Sequence, residues 1–194
     1  MIGQHLLRLA YRRRPSKDSF LYRDAVKHIS KVRGDILDMG GGPGYIYNFL
    51  GGNRYYVVLD IDYKLLSYGD DNIDKVLAMA EEKVLRDKSF DVVIIHDALH
   101  HFKDVDKALS NSIGIAREKI FIFEIEAGKI SGKIIKMFEK LLGFPGNFIS
   151  SDELYRKVGR FKCIKVKMEK LDGLRYLIKI VRIPSCNSEA LFSQ

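Results

Sequence analysis

One stretch constrains this chain more than any other: Asp38 to Gly44, reading D-M-G-G-G-P-G. It follows the short apolar run Asp35 to Met39 (DILDM), which stops at the glycines and so reads as a buried strand. It precedes Tyr45 to Leu50, read as a short helix closed by Gly51-Gly52. Strand, glycine loop and helix in that order give the glycines meaning. They permit positive φ and close approach of a ligand to the backbone, and the helix start offers unpaired amides.

The rest of the chain agrees with a sheet. Tyr55 to Leu59 (YYVVL), Lys75 to Ala78, Phe90 to Ile95 (FDVVII) and Lys119 to Ile125 (KIFIFEI) read as further strands. Helices are expected at Gln4–Arg14, Tyr22–Val32, Tyr63–Tyr68 and Val105–Ala116. Nearly continuous apolar strands alternating with helices indicate an α/β fold with a parallel sheet covered on both faces. The end differs. Phe161 to Met168 and Arg175 to Ile183 read as strands around Asp172-Gly173, which predicts an antiparallel hairpin.

The loop also selects its ligand. Dinucleotide sites use G-x-G-x-x-G, whereas Gly40, Gly42 and Gly44 are spaced G-x-G-x-G. Asp38 at the loop mouth opposes a pyrophosphate and attracts an ammonium group, and Pro43 removes one amide donor. Asp60 ends the second strand, where a carboxylate can accept from both hydroxyls of a ribose; Asp62 reads as the cap of the next helix. A positively charged ligand without phosphate fits this set better than a nicotinamide dinucleotide.

These residues resemble the class I S-adenosylmethionine-dependent methyltransferases, in particular the group acting on diverse small substrates. The D-x-G-x-G-x-G loop is matched by Asp38, Gly40, Gly42 and Gly44, and the acid ending the second strand by Asp60 in VVLDIDYKLL. AEEKVLRDKSFDVVIIHDALHHF resembles the family's stretch running through the fourth strand, with Ala80, Glu81, Phe90, Asp91 and His101 matching without a gap. The resemblance implies a Rossmann-like, doubly wound, mostly parallel seven-stranded sheet ending in an antiparallel hairpin. It implies S-adenosylmethionine held by Asp38, Gly40, Gly41, Gly42, Gly44, Asp60 and Ile61 on one side, and by Ala80, Glu81 and Asp97 on the other. Two positions depart from the family. Met79 stands where an acid often meets the adenine amino group, and Ala116-Arg117-Glu118-Lys119 replaces a proline-glycine-glycine turn.

His96, Asp97, His100 and His101 cluster just after the fourth strand, where open α/β sheets bind ligands. His101 and His96 are the candidates for a catalytic base. Methyl transfer needs a base only if the acceptor must lose a proton, so the site is also readable without one. The competing readings of the cluster are structural packing and a metal site, and no metal is expected. Glu124 and Glu126 alternate at the end of the fifth strand and so share a face, either toward an acceptor or toward solvent.

The chain of 194 residues carries a net charge of +8, unevenly divided. Residues 1–33 hold +7, residues 34–100 hold −6 and the remainder holds +7. The acidic centre suits a cationic cofactor. The basic ends, with Arg8, Arg12, Arg13 and Arg14 before the core and Lys129, Lys133, Lys136 and Lys140 after it, point to an anionic acceptor, a membrane surface or a solvated face. Nucleic acid is disfavoured, because aromatic residues do not interleave with these clusters. One domain is expected: an N-terminal helical cover over 1–33, a cofactor core over 34–126, a second helical cover over 127–160, the hairpin over 161–183 and a loose tail over 184–194. No apolar run approaches the roughly 20 residues of a membrane span. Cys163 and Cys186 match no metal or redox spacing, and a reducing cytoplasm is the expected compartment. The functional expectation is methyl transfer to a small, lipophilic or anionic acceptor. The alternative is a non-catalytic module of the same fold that binds a protein or RNA partner.

Overall fold

Side-chain alternation along the central strands decides how the molecule is layered. In β1 (Ile36–Met39), Leu37 and Met39 fall in one buried cluster and Ile36 in the other. In β4 (Phe90–His96), Val93 and Ile95 oppose Val92 and Ile94. In β5 (Ala116–Ile125), Ile120 and Ile122 oppose Phe121 and Phe123. A strand apolar on both faces needs cover on both faces. The computed structural model describes residues 8–9, 11–16, 19, 21–50, 54–127, 137, 146–171 and 174–185.

Seven strands form one sheet in the order β3-β2-β1-β4-β5-β7-β6. The remaining strands are β2 (Tyr56–Asp60), β3 (Asp74–Leu77), β6 (Ile164–Lys170) and β7 (Arg175–Arg182). β3, β2, β1, β4 and β5 run parallel, and β7 is antiparallel to both β5 and β6. This is the doubly wound sheet with a terminal hairpin expected from the sequence. One face is covered by α1 (Arg23–Ile29), by α2 (Tyr63–Leu66) and by a 3-10 turn at Tyr45–Phe49, which supply Ala25, Ile29, Tyr45, Ile46 and Leu66 to the core. The other is covered by α3 (Val105–Ile115) and α4 (Ser151–Val158), which supply Ala108, Leu109, Ile113, Leu154 and Val158.

Several elements differ from the sequence reading. The expected helix after the glycine loop is a 3-10 turn at Tyr45–Phe49. β5 starts at Ala116, so α3 passes directly into the strand. No proline-glycine-glycine turn is needed there, because Arg182 donates to the carbonyls of Ile113 (2.8 Å) and Ala116 (3.0 Å) and satisfies the helix end. The sixth strand begins at Ile164, after Cys163 with its φ of +62°. Cys163 is disulfide-bonded, so it gives no support to the reducing compartment read from the cysteines. The helix α4 inside the second expected cover is capped by Ser150, whose side chain accepts from the Glu153 amide. Of the first expected helix, Arg8 and Leu9 are helical, Tyr11 to Arg14 are turn, bend and irregular chain, and the other residues lie outside the described ones. Gly51-Gly52, the Asp172-Gly173 turn, Cys186 and Lys129, Lys133, Lys136 and Lys140 lie outside the described residues.

Candidate active site

β1 and β4 are neighbours from which the chain winds outward in both directions. The crevice beyond their carboxyl ends is where such sheets bind ligands. A cavity of about 540 Å³ lies there. Asp38, Gly40, Gly41, Gly42, Asp60, Ile61, Ala80, Glu81, His96, Asp97 and His101 all line it. Of the residues singled out from the sequence for cofactor or catalysis, only Gly44 stands behind the wall. With φ +70°, it packs where a Cβ would meet the Val58 side chain at 2.5 Å.

The loop side is built over short sequence distances. Asp38 is 1% exposed. Its Oδ2 accepts from the Tyr56 hydroxyl at 2.7 Å, while its Oδ1 is buried with no hydrogen-bond partner. Burial, opposed by the Tyr56 bond and aided by the charge of Asp60, pushes this carboxyl up to about 7. Gly41 must be glycine because a Cβ would meet the Asp38 carboxyl within 2.3–2.8 Å. Asp60 accepts the Gly42 amide (2.8 Å) on one oxygen and the Asp62 amide (2.7 Å) on the other, tying the loop to the end of β2. Burial raises its pKa and those amides oppose the rise. Asp62 caps α2 by accepting from the Lys64 and Leu65 amides, as its position suggested.

The next wall carries Met79, Ala80 and Glu81. Glu81 Oε1 accepts the Lys103 (2.6 Å) and Asp104 (3.2 Å) amides, and so braces the start of α3. The Ala80 carbonyl accepts from Asn111 at 2.9 Å. Met79, the departure from the family pattern, also lines the cavity.

The third wall is assembled from distant parts of the chain. Asp97 holds φ +48° and forms an ion pair with Arg175, which is 3% exposed at the start of β7. Arg175 also donates to the Leu21 carbonyl at 2.7 Å. Asp97 Oδ1 is buried with no partner, and burial raises its pKa against the pull of His96 and Arg175. His96 donates from Nε2 to the Leu21 carbonyl at 2.9 Å and stacks on Tyr22 at 5.2 Å. Burial holds its pKa down. His101 is exposed on the 3-10 turn Leu99–His101, its ring 4.1 Å from that of His100. Among the described residues no group of three or more His, Cys, Asp or Glu side chains is arranged to hold a metal ion.

Glu124 and Glu126 do not line the cavity; Ile125 between them does. Glu124 points back into the protein, accepting the Leu99 amide (2.7 Å) and meeting His100 Nδ1 (2.7 Å). Glu126 accepts the Ser151 amide at 3.3 Å, at the start of α4. Sequence reasoning missed Tyr11, Leu21 and Tyr22 as lining residues, and Tyr56 and Arg175 as supports. No local pattern marks them. Two members of the N-terminal basic cluster pair with acids of this chain: the partly buried Arg8 bonds Asp62 at 3.0 Å, and the exposed Arg14 bonds Asp70 at 3.1 Å. Arg12 and Arg13 are exposed as well. No helix among the described residues is long and apolar enough to cross a membrane.

Residues 37–119 match the family model of a methyltransferase domain. Over 158 residues the chain is 29% identical to the ubiquinone/menaquinone biosynthesis C-methyltransferase of Vibrio parahaemolyticus, covering 72% of this chain and 61% of that protein. The corresponding Vibrio cholerae enzyme is 28% identical over the same shares. The chain thus matches about three fifths of the length of these relatives. Among solved structures, an S-adenosylmethionine-dependent methyltransferase from Aquifex aeolicus superposes with a TM-score of 0.70 at 13% identity, covering 94% of this chain and 99% of that one. One from Mesorhizobium loti gives 0.70 at 15% identity, covering 86% and 100%. At such identities the likeness is one of fold, and the fold is that of these methyltransferases.

Proposed function

We propose that this chain transfers the methyl group of S-adenosylmethionine to a small, lipophilic acceptor of the quinone class. Asp38 carries the cofactor half of the reading. A buried carboxylate oxygen without a partner is costly, and an ammonium group brought to it restores the missing interaction. Asp38 and the Gly40–Gly42 backbone would hold the amino acid end, Asp60 the ribose, and Met79 with Ala80 the adenine face. The acceptor class comes from the relatives, which are C-methyltransferases of ubiquinone/menaquinone biosynthesis.

When bound, the cofactor supplies a methyl carbon already activated by its sulfonium sulfur. The protein's share is then to orient the acceptor and exclude water. Tyr11, Leu21 and Tyr22 line the cavity from the N-terminal segment and would serve that exclusion. His96 and His101 stand on the wall toward the acceptor. His96 gives its Nε2 proton to Leu21, so its role there is to hold the N-terminal segment against the site.

Calorimetry tests the reading. S-adenosylmethionine and S-adenosylhomocysteine are expected to bind, and NADH is not. If neither adenosyl compound binds, the reading fails and the non-catalytic partner-binding alternative, which Met79 favours, takes its place.

A further inference from the structure

We propose that the far end of the sheet carries a second binding site, for a multiply charged phosphate group on a free compound or a lipid headgroup. The site stands apart from the methyltransferase reading: its cavity shares no lining residue with the crevice already described. It has a volume of about 620 Å³ and lies beside the amino ends of β1, β4 and β5. Small-molecule sites span roughly 300–1,000 Å³.

His28 from α1, Lys31 and Arg33 from the link to β1, Lys119 from β5 and Lys179 from β7 line this cavity. Two carboxylates line it too, and both are engaged. Asp91 accepts the Asp35 amide (2.8 Å) and Arg117 (2.9 Å), and Glu118 meets Lys119 at 3.4 Å. The charged ends of Lys31, Arg33 and Lys179 have no hydrogen-bond or ion-pair partner among the described residues. The walls are fixed. Arg54 donates to the carbonyls of Ser30 (3.2 Å) and Val32, which holds the link in place. Gly34, at φ +94°, lies so near Asp91 that a Cβ would meet its side chain at 2.2–2.8 Å.

Strand pairing carries the basic face beyond the cavity. Lys179 stands directly opposite Phe121 of β5 and Lys167 of β6, so the three share a face. In the neighbouring row Lys119 and Lys165 flank Val181. Lys165 and Lys167 are exposed, and their ammonium groups also lack a partner among the described residues. The acid of the row on the other side, Glu169, is turned to His28 at 3.8 Å. Like charges directly opposite each other destabilise a strand pair. Lys167 against Lys179 therefore costs the fold stability, and an anion held between them reverses the sign of that interaction.

The cations also select the ligand. A carboxylate brings one charge and leaves most of them unmatched, whereas a phosphate monoester brings about two. Lysine ammonium groups act as compact point charges, and the planar guanidinium of Arg33 can grip two oxygens of one phosphate. A nucleic-acid strand that stacks its bases finds no platform here, because Phe121 is 2% exposed and lies beneath the Lys179 ammonium, 5.6 Å from it.

Two probes test this on the full chain at about 50 mM salt, where screening is modest. Calorimetry follows sodium pyrophosphate, and flotation follows phosphatidylcholine vesicles that contain phosphatidic acid. Binding of pyrophosphate alone supports a free ligand, and binding of the vesicles alone supports a headgroup. No binding of the vesicles, and none of pyrophosphate up to about 10 mM, overturns the proposal. Lys167→Gln with Lys179→Gln should weaken whichever binding is seen by about tenfold or more, the worth of a charge-assisted contact. Arg12→Gln with Arg13→Gln removes the same charge from the N-terminal cluster and should leave the affinity within about twofold of the parent. Equal losses in the two double variants would mean a response to net charge, and the site would be refuted. Should the strand variant not fold, Lys31→Gln with Arg33→Gln, which lie off the strands, is read against the same control.

Discussion

The loop wall and the histidine wall of the cavity are built by opposite means. The loop wall closes over short spans: the Asp38–Tyr56 and Gly42–Asp60 bonds each link residues 18 apart. The histidine wall closes over long ones. Arg175 reaches Asp97 across 78 positions and Leu21 across 154, and His96 reaches Leu21 across 75. The first wall is two adjacent parallel strands and the turns that leave them. The second needs the N-terminal segment, the terminal hairpin and β5 all in place. The loop wall can thus be assembled by one local unit, while the histidine wall depends on distant parts of the chain.

Arg175→Ala strains this contrast most. It leaves Asp97 buried without its cation, so a loss of about 3–5 kcal/mol in urea unfolding is expected. A smaller loss than about 1 kcal/mol would mean the histidine wall does not depend on the hairpin. Asp38→Asn should act in the reverse sense on stability. The Asp38 carboxyl is raised from 3.8 to about 7 in the folded chain, so its contribution is fully present below pH ~4 and is lost as pH rises through 7. The amide should therefore stabilise the fold at pH 8, by on the order of 1–4 kcal/mol, with the gain vanishing near pH 4. The same change should weaken S-adenosylmethionine binding by about 30–100-fold, the worth of a charge-assisted contact. Equal affinity in the two proteins would remove Asp38 from the site.

Gly44→Ala tests the loop wall from behind. The new methyl meets Val58 at a positive φ, and a cost of about 1–3 kcal/mol is expected in thermal unfolding. The smallest effect belongs to Ser150→Ala, which removes the cap of α4. About 1 kcal/mol should be lost, with S-adenosylhomocysteine affinity unchanged. A change in affinity would show that α4 is coupled to the cofactor and would blur the division between the walls.

The same division governs what could be read before any coordinates. Asp38, Gly40, Gly42 and Asp60 were legible because glycine spacing and strand ends are local signals, and the sheet followed from uninterrupted apolar strands. Asp172-Gly173 gave away the hairpin. Arg175 was invisible as a site residue: nothing near it in sequence says that its partner is Asp97. Glu124 was seen at the right strand end but placed toward acceptor or solvent. Period-two alternation gives the face of a strand, yet not what a neighbouring turn will bring to it. The turn at Leu99–His101 brings His100, and that contact reverses the reading of Glu124 from lining residue to support.

β7 pairs with β5 so that Arg175 stands opposite Ile125 and Tyr176 opposite Glu124. A slip of one position would carry Tyr176 to the place of Arg175 and send every side chain of β7 to the other face. Asp97 would lose its cation, and Tyr176 would leave the Ile149 carbonyl that it bonds at 2.9 Å. The hairpin therefore acts as a ruler for a wall it barely touches. An inserted or deleted residue within β7 would disturb that wall, although no side chain of β7 lines the cavity.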